Sequence, residues 1–235
     1  MESSTEEGYP LAVSPKTPAI VFGTGDFARV ASFYLDHDSP FEVAAFTVHE
    51  RFRTADVLLG RPVVPWEHIA DSHPPSRFAL FLGVGYSGVN RNRAMLFAEA
   101  RQLGYEVPSY VCSKATTWPG LAVGEGSFVF ENNVVQPFTS IGKNTVLWSG
   151  NHIGHDTAIG DHVFIASHAV ISGNCRIGDY TFIGVNATVR DGITIGERCV
   201  IGAGTVLLHD APAGSVYKAA STPAAEIRSD ALRRI

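Results

Sequence analysis

The sequence predicts two folds in one chain, a small N-terminal α/β domain and, after it, a solenoid of stacked six-residue repeats. In the second half, an aliphatic residue stands at every sixth position without a break. A small residue usually precedes that aliphatic by two positions, as at Ser127 and Thr181. Before residue 113, short apolar runs instead alternate with segments of helical spacing. The periodic aliphatics are Val123, Val129, Val135, Ile141, Leu147, Ile153, Ile159, Ile165, Ile171, Ile177, Ile183, Val189, Ile195, Ile201 and Leu207.

The six-residue period predicts a parallel β-helix. Neither the helical period of 3.6 nor the strand period of 2 explains it, whereas a fixed longer period indicates stacked repeats. Each hexad supplies one short strand and one turn, and three hexads form one coil of eighteen residues. Coils stack by parallel strand pairing, about 4.8 Å apart. The aliphatics then fill the interior, and the small residues fit where the walls converge. Cys175 and Cys199 occupy this small position, so we expect them to be filler.

Composition excludes several classes of protein. The chain has 235 residues, 45 % hydrophobic and 17 % charged, with a net charge of −5. The sequence has no basic stripe, which argues against nucleic acid or an anionic membrane as partner. No apolar run approaches the ~18 residues of a membrane span. Residues 1–17 are polar and acidic, which predicts a flexible arm rather than a signal peptide. Three widely spaced cysteines favour a reduced, cytoplasmic protein.

Residues 18–112 are predicted to form a Rossmann-like domain with a parallel sheet. Alternating strands and helices are typical of βαβ units. Residues 113–120 contain proline and polar residues and are predicted to join this domain to the β-helix at 121–208, with a C-terminal tail at 209–235. The predicted strands are Ala19–Gly23, Phe41–Val48, Phe78–Gly83 and Val107–Val111, and the predicted helices are Asp26–Asp36 and Asn90–Leu103.

A glycine turn follows the first predicted strand. Residues 23–28 read Gly-Thr-Gly-Asp-Phe-Ala and lead into a helix. Glycines there let the backbone approach a phosphate, and the helix N-terminus favours its negative charge. The alternative is a tight turn with no ligand. A dinucleotide redox site is less expected, because the second strand ends in Val48-His49 without a ribose-binding acid.

A histidine–aspartate pair is the strongest catalytic signal. His155 stands two residues after the inward Ile153, so it points out of the solenoid, and Asp156 can orient its imidazole. Gly173 lies eighteen residues on, one coil away, and offers a backbone N–H as an oxyanion donor. The alternative is that His155 is a surface histidine without a catalytic role. This interpretation is favoured more strongly for His152, His162 and His168.

A metal site is the competing interpretation of these histidines. Imidazoles are good zinc ligands. The γ-type carbonic anhydrases share the predicted fold and bind zinc through histidines of two chains. However, His152 and His155 are only three residues apart and no cysteine joins them, so we expect no metal.

With both parts considered, the chain resembles the hexapeptide-repeat nucleotide-sugar acyltransferases of the sialic-acid O-acetyltransferase and bacillosamine N-acetyltransferase family over residues 18–220. The resemblance implies that the β-helix is left-handed. It also implies a homotrimer with acetyl-CoA between neighbouring β-helices, and a nucleotide-sugar acceptor held by the N-terminal domain. The His-Asp pair at His155 and Asp156 matches the family's base. The resemblance further implies cofactor contacts at Phe164, Val185 and Ala203, and substrate contacts at Gly23, Gly25, Asp26, Phe27 and Gly85.

The predicted function is therefore acetyl transfer from acetyl-CoA to an amino or hydroxyl group of a nucleotide-linked sugar, by direct attack on the thioester with His155 as general base. Three alternatives remain at this point. The first is the same chemistry on a non-nucleotide acceptor, the second a zinc lyase of the γ-carbonic anhydrase type, and the third a non-catalytic scaffold that binds nucleotide sugars.

Overall fold

The computed structural model describes residues 15–231, which form two compact units. One unit comprises the described residues up to Val84 together with Ala100–Val107, and the other comprises Gly85–Glu99 and the described residues from Pro108 onwards. The arm predicted at 1–17 lies mostly outside the described residues, and its last residue, Thr17, begins the first strand.

The first unit is an α/β domain with a mainly parallel five-stranded sheet of order β3-β4-β2-β1-β5. Only the β3–β4 hairpin is antiparallel. The βαβ pattern predicted from sequence is confirmed, and the short β3, β4 and α2 are additional to it. The elements up to residue 102 are β1 (Thr17–Phe22), α1 (Asp26–Asp38), β2 (Phe41–Val48), β3 (Val57–Leu58), β4 (Arg61–Pro65), α2 (Ile69–Ser72), β5 (Ala79–Leu82) and α3 (Arg91–Gln102).

The second unit is a left-handed parallel β-helix of hexapeptide repeats, as predicted. Its strands pair in parallel with the strand one coil later, so that Ile141 meets Ile159 and Ile153 meets Ile171. The strands are β6 (Tyr110–Val111), β7 (Ala122–Val123), β8 (Phe128–Val129), β9 (Val134–Val135), β10 (Ser140–Ile141), β11 (Val146–Leu147), β12 (His152–Ile153), β13 (Ala158–Ile159), β14 (Phe164–Ile165), β15 (Val170–Ile171), β16 (Arg176–Ile177), β17 (Phe182–Ile183), β18 (Thr188–Val189), β19 (Thr194–Ile195), β20 (Val200–Ile201), β21 (Val206–Leu207) and β22 (Val216–Tyr217).

Two ladders of side chains fill the β-helix. From Val129 to Leu207 every periodic aliphatic is at most 4 % exposed. The small residues form a second, hydrogen-bonded ladder. For example, the Thr145 hydroxyl donates to the Gly160 carbonyl at 2.9 Å and accepts from the Val163 N–H at 3.1 Å. Cys175 follows the same rule, since its thiol lies 3.2 Å from the Arg190 carbonyl. The predicted filler role of the cysteines therefore matches their positions.

The corners of the coils require a left-handed backbone at every sixth residue. Glycine, asparagine and aspartate adopt this conformation at low cost, and Asn144, Asp156 and Gly150 occupy it here. Bulkier residues also stand there, including Phe138 with φ of 66° and Tyr180 with φ of 60°. Such residues cost about 1 kcal/mol each in this conformation, so their presence at a corner calls for a compensating contact.

The three walls of the β-helix differ in character. The polar wall (β7, β10, β13, β16, β19) presents Ser140, Arg176 and Thr194 to solvent. The valine wall (β9, β12, β15, β18, β21) presents Val134, Val170 and Val206, which are 39 %, 41 % and 63 % exposed. The covered wall (β6, β8, β11, β14, β17, β20, β22) carries the large aromatic side chains, and residues 85–99 pack on it.

A buried arginine anchors residues 85–99 to the covered wall. Arg93 is 1 % exposed and donates to the carbonyls of Asn144 and Gly126, at 3.3 and 3.0 Å. Its guanidinium also lies 5.6 Å from the Phe128 ring. Burial lowers the pKa of Arg93 to about 9, so it remains protonated at neutral pH. Sequence analysis assigned this helix to the N-terminal domain, whereas the structure packs residues 85–99 on the β-helix.

The β-helix extends beyond the predicted limits of 121–208 at both ends. Tyr110–Val111, predicted as the last strand of the N-terminal sheet, instead pairs with Phe128–Val129 of the β-helix. At the other end, Val216–Tyr217 pairs with Val200–Ile201, so part of the predicted tail completes the last coil. Backbone pairing does not need an inward aliphatic, and the hexad pattern therefore underestimates the number of coils.

We expect Arg93→Met to weaken the second unit. The change leaves two buried carbonyls without their donor, and the free energy of unfolding should fall by about 2–4 kcal/mol. Arg91→Met is the matched control, because Arg91 is exposed and donates only to the nearby Gly88 carbonyl. Chemical denaturation measures both. A loss below about 1 kcal/mol for Arg93→Met would contradict the anchoring role.

Candidate active site

His155 and Asp156 form a hydrogen-bonded pair on the surface of the β-helix. His155 Nδ1 lies 2.8 Å from Asp156 Oδ2, and both side chains are about half exposed. A carboxylate accepts from Nδ1–H, so this contact assigns the proton to Nδ1 and leaves Nε2 with a lone pair. The backbone N–H of His155 also donates to Gln136 Oε1 at 2.9 Å. The pair is therefore an oriented imidazole with a free basic nitrogen.

Gly173 lies directly against the imidazole, as the eighteen-residue spacing predicts. A Cβ atom on Gly173 would stand 2.7 Å from His155 Nε2, so only glycine leaves the ring in place. Among residues 15–231, the Gly173 N–H has no hydrogen-bond acceptor. At the neighbouring corner, by contrast, the N–H of Lys143 and of Asp161 each donate to an aspartate of the next coil. Gly173 thus offers an unpaired donor next to the free nitrogen of His155.

The other histidines of the cluster do not join this pair. His162 is half buried, its Nδ1 lies 2.9 Å from Asn144 Nδ2, and its ring is 4.8 Å from that of Tyr180. Burial lowers the pKa of His162, which favours its neutral form. His168 packs over Gly150, whose Cβ would meet the imidazole at 2.6 Å. His152 lies half buried on the valine wall.

The three residues that the resemblance assigned to the cofactor do not share one environment. Val185 and Ala203 are exposed and stack one coil apart, at the corner between the covered wall and the valine wall. Phe164 instead lies on the covered wall, 5 % exposed, with its ring 4.9 Å from that of Tyr86. Phe164 is therefore closed to a ligand, and we leave it out of the proposed groove.

The glycine turn lies at the carboxyl end of β1 in the first unit. Gly23 has φ of +117°, and a Cβ there would stand 2.7 Å from the Gly83 carbonyl oxygen, so the fold itself requires this glycine. Gly25 has an ordinary φ of −82° and a Cβ there would meet nothing within 4 Å. Asp26 is exposed and Phe27 half buried. Gly25 therefore leaves open space that the fold does not need. Gly85 belongs to the second unit, and a Cβ there would likewise meet nothing within 4 Å.

A further polar pair at this sheet edge was missed from the sequence. His49, at the end of β2, has Nδ1 3.0 Å from Glu67 Oε1, and the Glu50 N–H donates to Glu67 Oε2 at 3.0 Å. The backbone N–H groups of Glu67 and Glu50 hold the pKa of the Glu67 carboxyl below its usual value. The pair lies where, in dinucleotide-binding sheets, an acidic side chain forms a hydrogen bond with a ribose hydroxyl. His49 and Glu67 are eighteen residues apart in different elements, so no sequence pattern joined them.

Neither a metal cluster nor a membrane helix is found in the described part of the chain. Between residues 15 and 231, no three His, Cys, Asp or Glu side chains are grouped so that they could hold a metal ion. Within the same range, the helices are too short or too polar to cross a membrane.

Comparison with known proteins assigns the class. Residues 138–173 and 174–209 match the family model described as bacterial transferase hexapeptide (six repeats). No curated protein matches the chain. The match covers less than half of the chain, and it identifies residues 138–209 of the β-helix as hexapeptide repeats.

Two solved enzymes are similar over nearly their full length. The acetyltransferase domain of PglB from Neisseria gonorrhoeae, solved with acetyl coenzyme A, is 27 % identical with a TM-score of 0.74, covering 86 % of this chain and 95 % of that one. The perosamine N-acetyltransferase of Caulobacter crescentus, solved as a histidine-to-asparagine variant with CoA and GDP-perosamine, is 26 % identical with a TM-score of 0.76, covering 85 % and 92 %. The similarity to these enzymes shows that the chain is a CoA-dependent acyltransferase.

Proposed function

We propose that the protein transfers an acetyl group from acetyl-CoA to an amino or hydroxyl group of a nucleotide-linked sugar. The observation that carries the proposal is the His155–Asp156 contact of 2.8 Å, which leaves Nε2 free beside Gly173. The similar enzymes support the choice of donor and acceptor, since one was solved with acetyl coenzyme A and the other with CoA and GDP-perosamine.

The proposed chemistry is a single displacement. The acceptor's amine or hydroxyl attacks the thioester carbonyl while His155 Nε2 takes its proton. The Gly173 N–H donates a hydrogen bond to the carbonyl oxygen as it gains negative charge. The C–S bond then breaks, and the imidazolium of His155 returns the proton to the departing thiolate. Asp156 keeps the imidazole oriented through Nδ1 and stabilises its charged form.

A homotrimer completes the proposed site. His155 lies at the corner between the valine wall and the polar wall, whereas Val185 and Ala203 lie at the opposite edge of the valine wall. The exposed valines of that wall, continuous with Val185, form an apolar surface typical of a subunit interface. Three chains that pack through this wall bring His155 of one chain to the Val185 corner of the next, with acetyl-CoA in the groove between them.

The acceptor's nucleotide is proposed to bind at the carboxyl edge of the first unit's sheet. Open α/β sheets bind ligands at this edge, and a diphosphate fits the open space at Gly25 and the N-terminus of α1. The His49–Glu67 pair lies on the neighbouring strand end, within reach of the ribose or base. If no nucleotide binds there, the same acetyl transfer serves a non-nucleotide acceptor.

The first prediction concerns the His155–Asp156 pair. His155→Ala should lower turnover of a GDP- or UDP-linked amino sugar by roughly 10²–10⁴, the usual contribution of a general base. Acetyl-CoA affinity should change little. Asp156→Asn should lower turnover less, because asparagine keeps the left-handed corner but does not stabilise the imidazolium. Thiol release from acetyl-CoA measures each rate.

The matched control is His162→Asn, a corner histidine between the polar wall and the covered wall, replaced by a residue that favours the same backbone. Its turnover should stay near that of the wild type. Gly173→Ala should also lose turnover, since its Cβ displaces the imidazole, yet it should add nothing in the His155→Ala background. Near-normal turnover of His155→Ala removes the histidine from the mechanism.

The second prediction concerns assembly. Light scattering should give about three times the chain mass of 25.2 kDa. Val170→Glu places a charge at the centre of the valine wall and should yield inactive monomers with an intact β-helix, as judged by circular dichroism. Arg176→Glu, on the polar wall, is the control and should remain trimeric. A wild-type protein that is active as a monomer contradicts the proposed assembly.

The third prediction concerns Gly25. Gly25→Val fits the fold but fills the space proposed for the diphosphate, so calorimetry should show GDP or UDP binding weakened by about tenfold or more. Acetyl-CoA binding should be unchanged. Gly23→Ala is the contrasting variant, because it should lower thermal stability through its clash with Gly83. If the wild type binds neither nucleotide, the turn is structural and a non-nucleotide acceptor becomes the proposal.

A further inference from the structure

An aromatic-lined cavity lies one coil from the His155–Asp156 pair, on the same corner of the β-helix. Its volume is about 130 Å³, and it opens to solvent on one side. This is smaller than the ~300–1,000 Å³ of a complete small-ligand pocket, so it fits one ring of a larger ligand. The lining is mainly apolar, and its polar side chains are those of Gln136 and Thr139. The lining residues are Trp118, Pro119, Gly120, Leu121, Gln136, Pro137, Phe138 and Thr139.

Hydrogen bonds connect this cavity directly to the catalytic pair. Gln136 Oε1 accepts from the His155 N–H at 2.9 Å, and the Pro137 carbonyl accepts from the Asp156 N–H at 3.2 Å. Strand register stacks the corner in the order Pro137, His155, Gly173, because β9, β12 and β15 pair in sequence. The cavity is therefore on one side of His155 and the unpaired Gly173 N–H on the other.

Phe138 has two unfavourable features in the isolated chain, and among residues 15–231 no aromatic or cation–π contact offsets them. Its backbone is left-handed, with φ of 66°, and its side chain is 84 % exposed. Tyr180, in the same kind of position, packs against His162 and lies 5.7 Å from the Arg198 guanidinium. Phe138 makes no ring contact within residues 15–231, and the 57 % exposed Trp118 makes none there either. Exposed aromatic rings beside a cavity are typical of a site that a ligand covers.

We propose that Trp118 and Phe138 hold the sugar ring of the acceptor, an assignment that rests on the proposed function. A pyranose presents an apolar C–H face that packs on the electron-rich face of an aromatic ring, while the side-chain amide of Gln136 is the polar group available to its hydroxyls. Coils are spaced by about 4.8 Å, close to the width of a pyranose. A ring seated one coil from His155 thus brings its amine or hydroxyl substituent level with the imidazole.

The location also assigns the two substrates to opposite sides of His155. The thioester carbonyl requires the oxyanion donor, which is the Gly173 side of the corner. The acceptor must place its nucleophile within about 3 Å of Nε2, and the cavity is the remaining side. Trp118 and Phe138 are therefore specificity-determining residues for the acceptor, with no part in holding acetyl-CoA.

Two ring-removing variants and one control test the assignment. Phe138→Asn places in the corner a residue that favours its backbone, so the β-helix should be at least as stable as in the wild type. Trp118→Ala removes the second ring. Phe33→Ala removes an equally exposed ring, 59 % exposed, from α1 of the first unit. Steady-state kinetics use acetyl-CoA with GDP-perosamine, or with the nucleotide-linked amino sugar that reacts fastest in a panel.

We expect KM for the sugar to rise about tenfold in Phe138→Asn and Trp118→Ala, as for the loss of a stacking contact, with KM for acetyl-CoA unchanged. Phe33→Ala should match the wild type. Sugar binding should also change the fluorescence of Trp118, a signal absent from Trp118→Ala. Thermal denaturation and light scattering confirm that each variant keeps its fold and assembly.

Other outcomes overturn the assignment in distinguishable ways. Unchanged KM for the sugar, in an active enzyme, leaves the proposed function standing and removes the cavity from it. A raised KM for acetyl-CoA instead assigns the cavity to the cofactor. Loss of the trimer in Phe138→Asn identifies the cavity as a subunit interface. A wild type that acetylates no sugar in the panel overturns the proposed function, and the sugar-ring assignment with it.

Discussion

Parallel backbone pairing between residues eighteen apart is the constraint on which the rest of this protein depends. The pairing fixes the inward direction of the periodic aliphatics, and it aligns hydroxyls of the second ladder, such as that of Thr145, with a carbonyl of the next coil. It also determines which corner residues are neighbours, so that Pro137, His155 and Gly173 stack although they are remote in sequence. The geometry of the proposed catalytic site is thus a direct product of the coil length.

The three walls show how one repeat supports three different surfaces. Outward residues do not affect the interior, so they vary freely: polar on one wall, valine-rich on the second, aromatic on the third. The aromatic wall is covered by residues 85–99, which Arg93 fixes by donating to main-chain carbonyls. The carbonyl dipoles of Asn144 and Gly126 and the face of the Phe128 ring stabilise the buried charge of Arg93.

The fold could be predicted from the sequence because its interior is strictly periodic, and the position of His155 followed from the same period. The packing of Arg93 could not be predicted, because nothing in the spacing of the helix distinguishes it from Arg91 and Arg101, the other two arginines of α3. The outermost coils, at Tyr110 and Val216, lack the hexad pattern yet still pair through the backbone. The covering of Phe164 by Tyr86 and the pairing of His49 with Glu67 join residues whose spacing carries no periodic signal.

The separation of His155 and Gly173 by one coil has a consequence for how such proteins diversify. Insertion or loss of a complete coil on either side of this pair leaves its internal geometry unchanged, because every coil repeats the same rise and rotation. A complete coil inserted between Pro137 and His155, however, would move the cavity away from the proposed base by a further ~4.8 Å. On the proposed assignment, indels of eighteen residues can therefore change the substrate range while the chemistry at His155 stays the same.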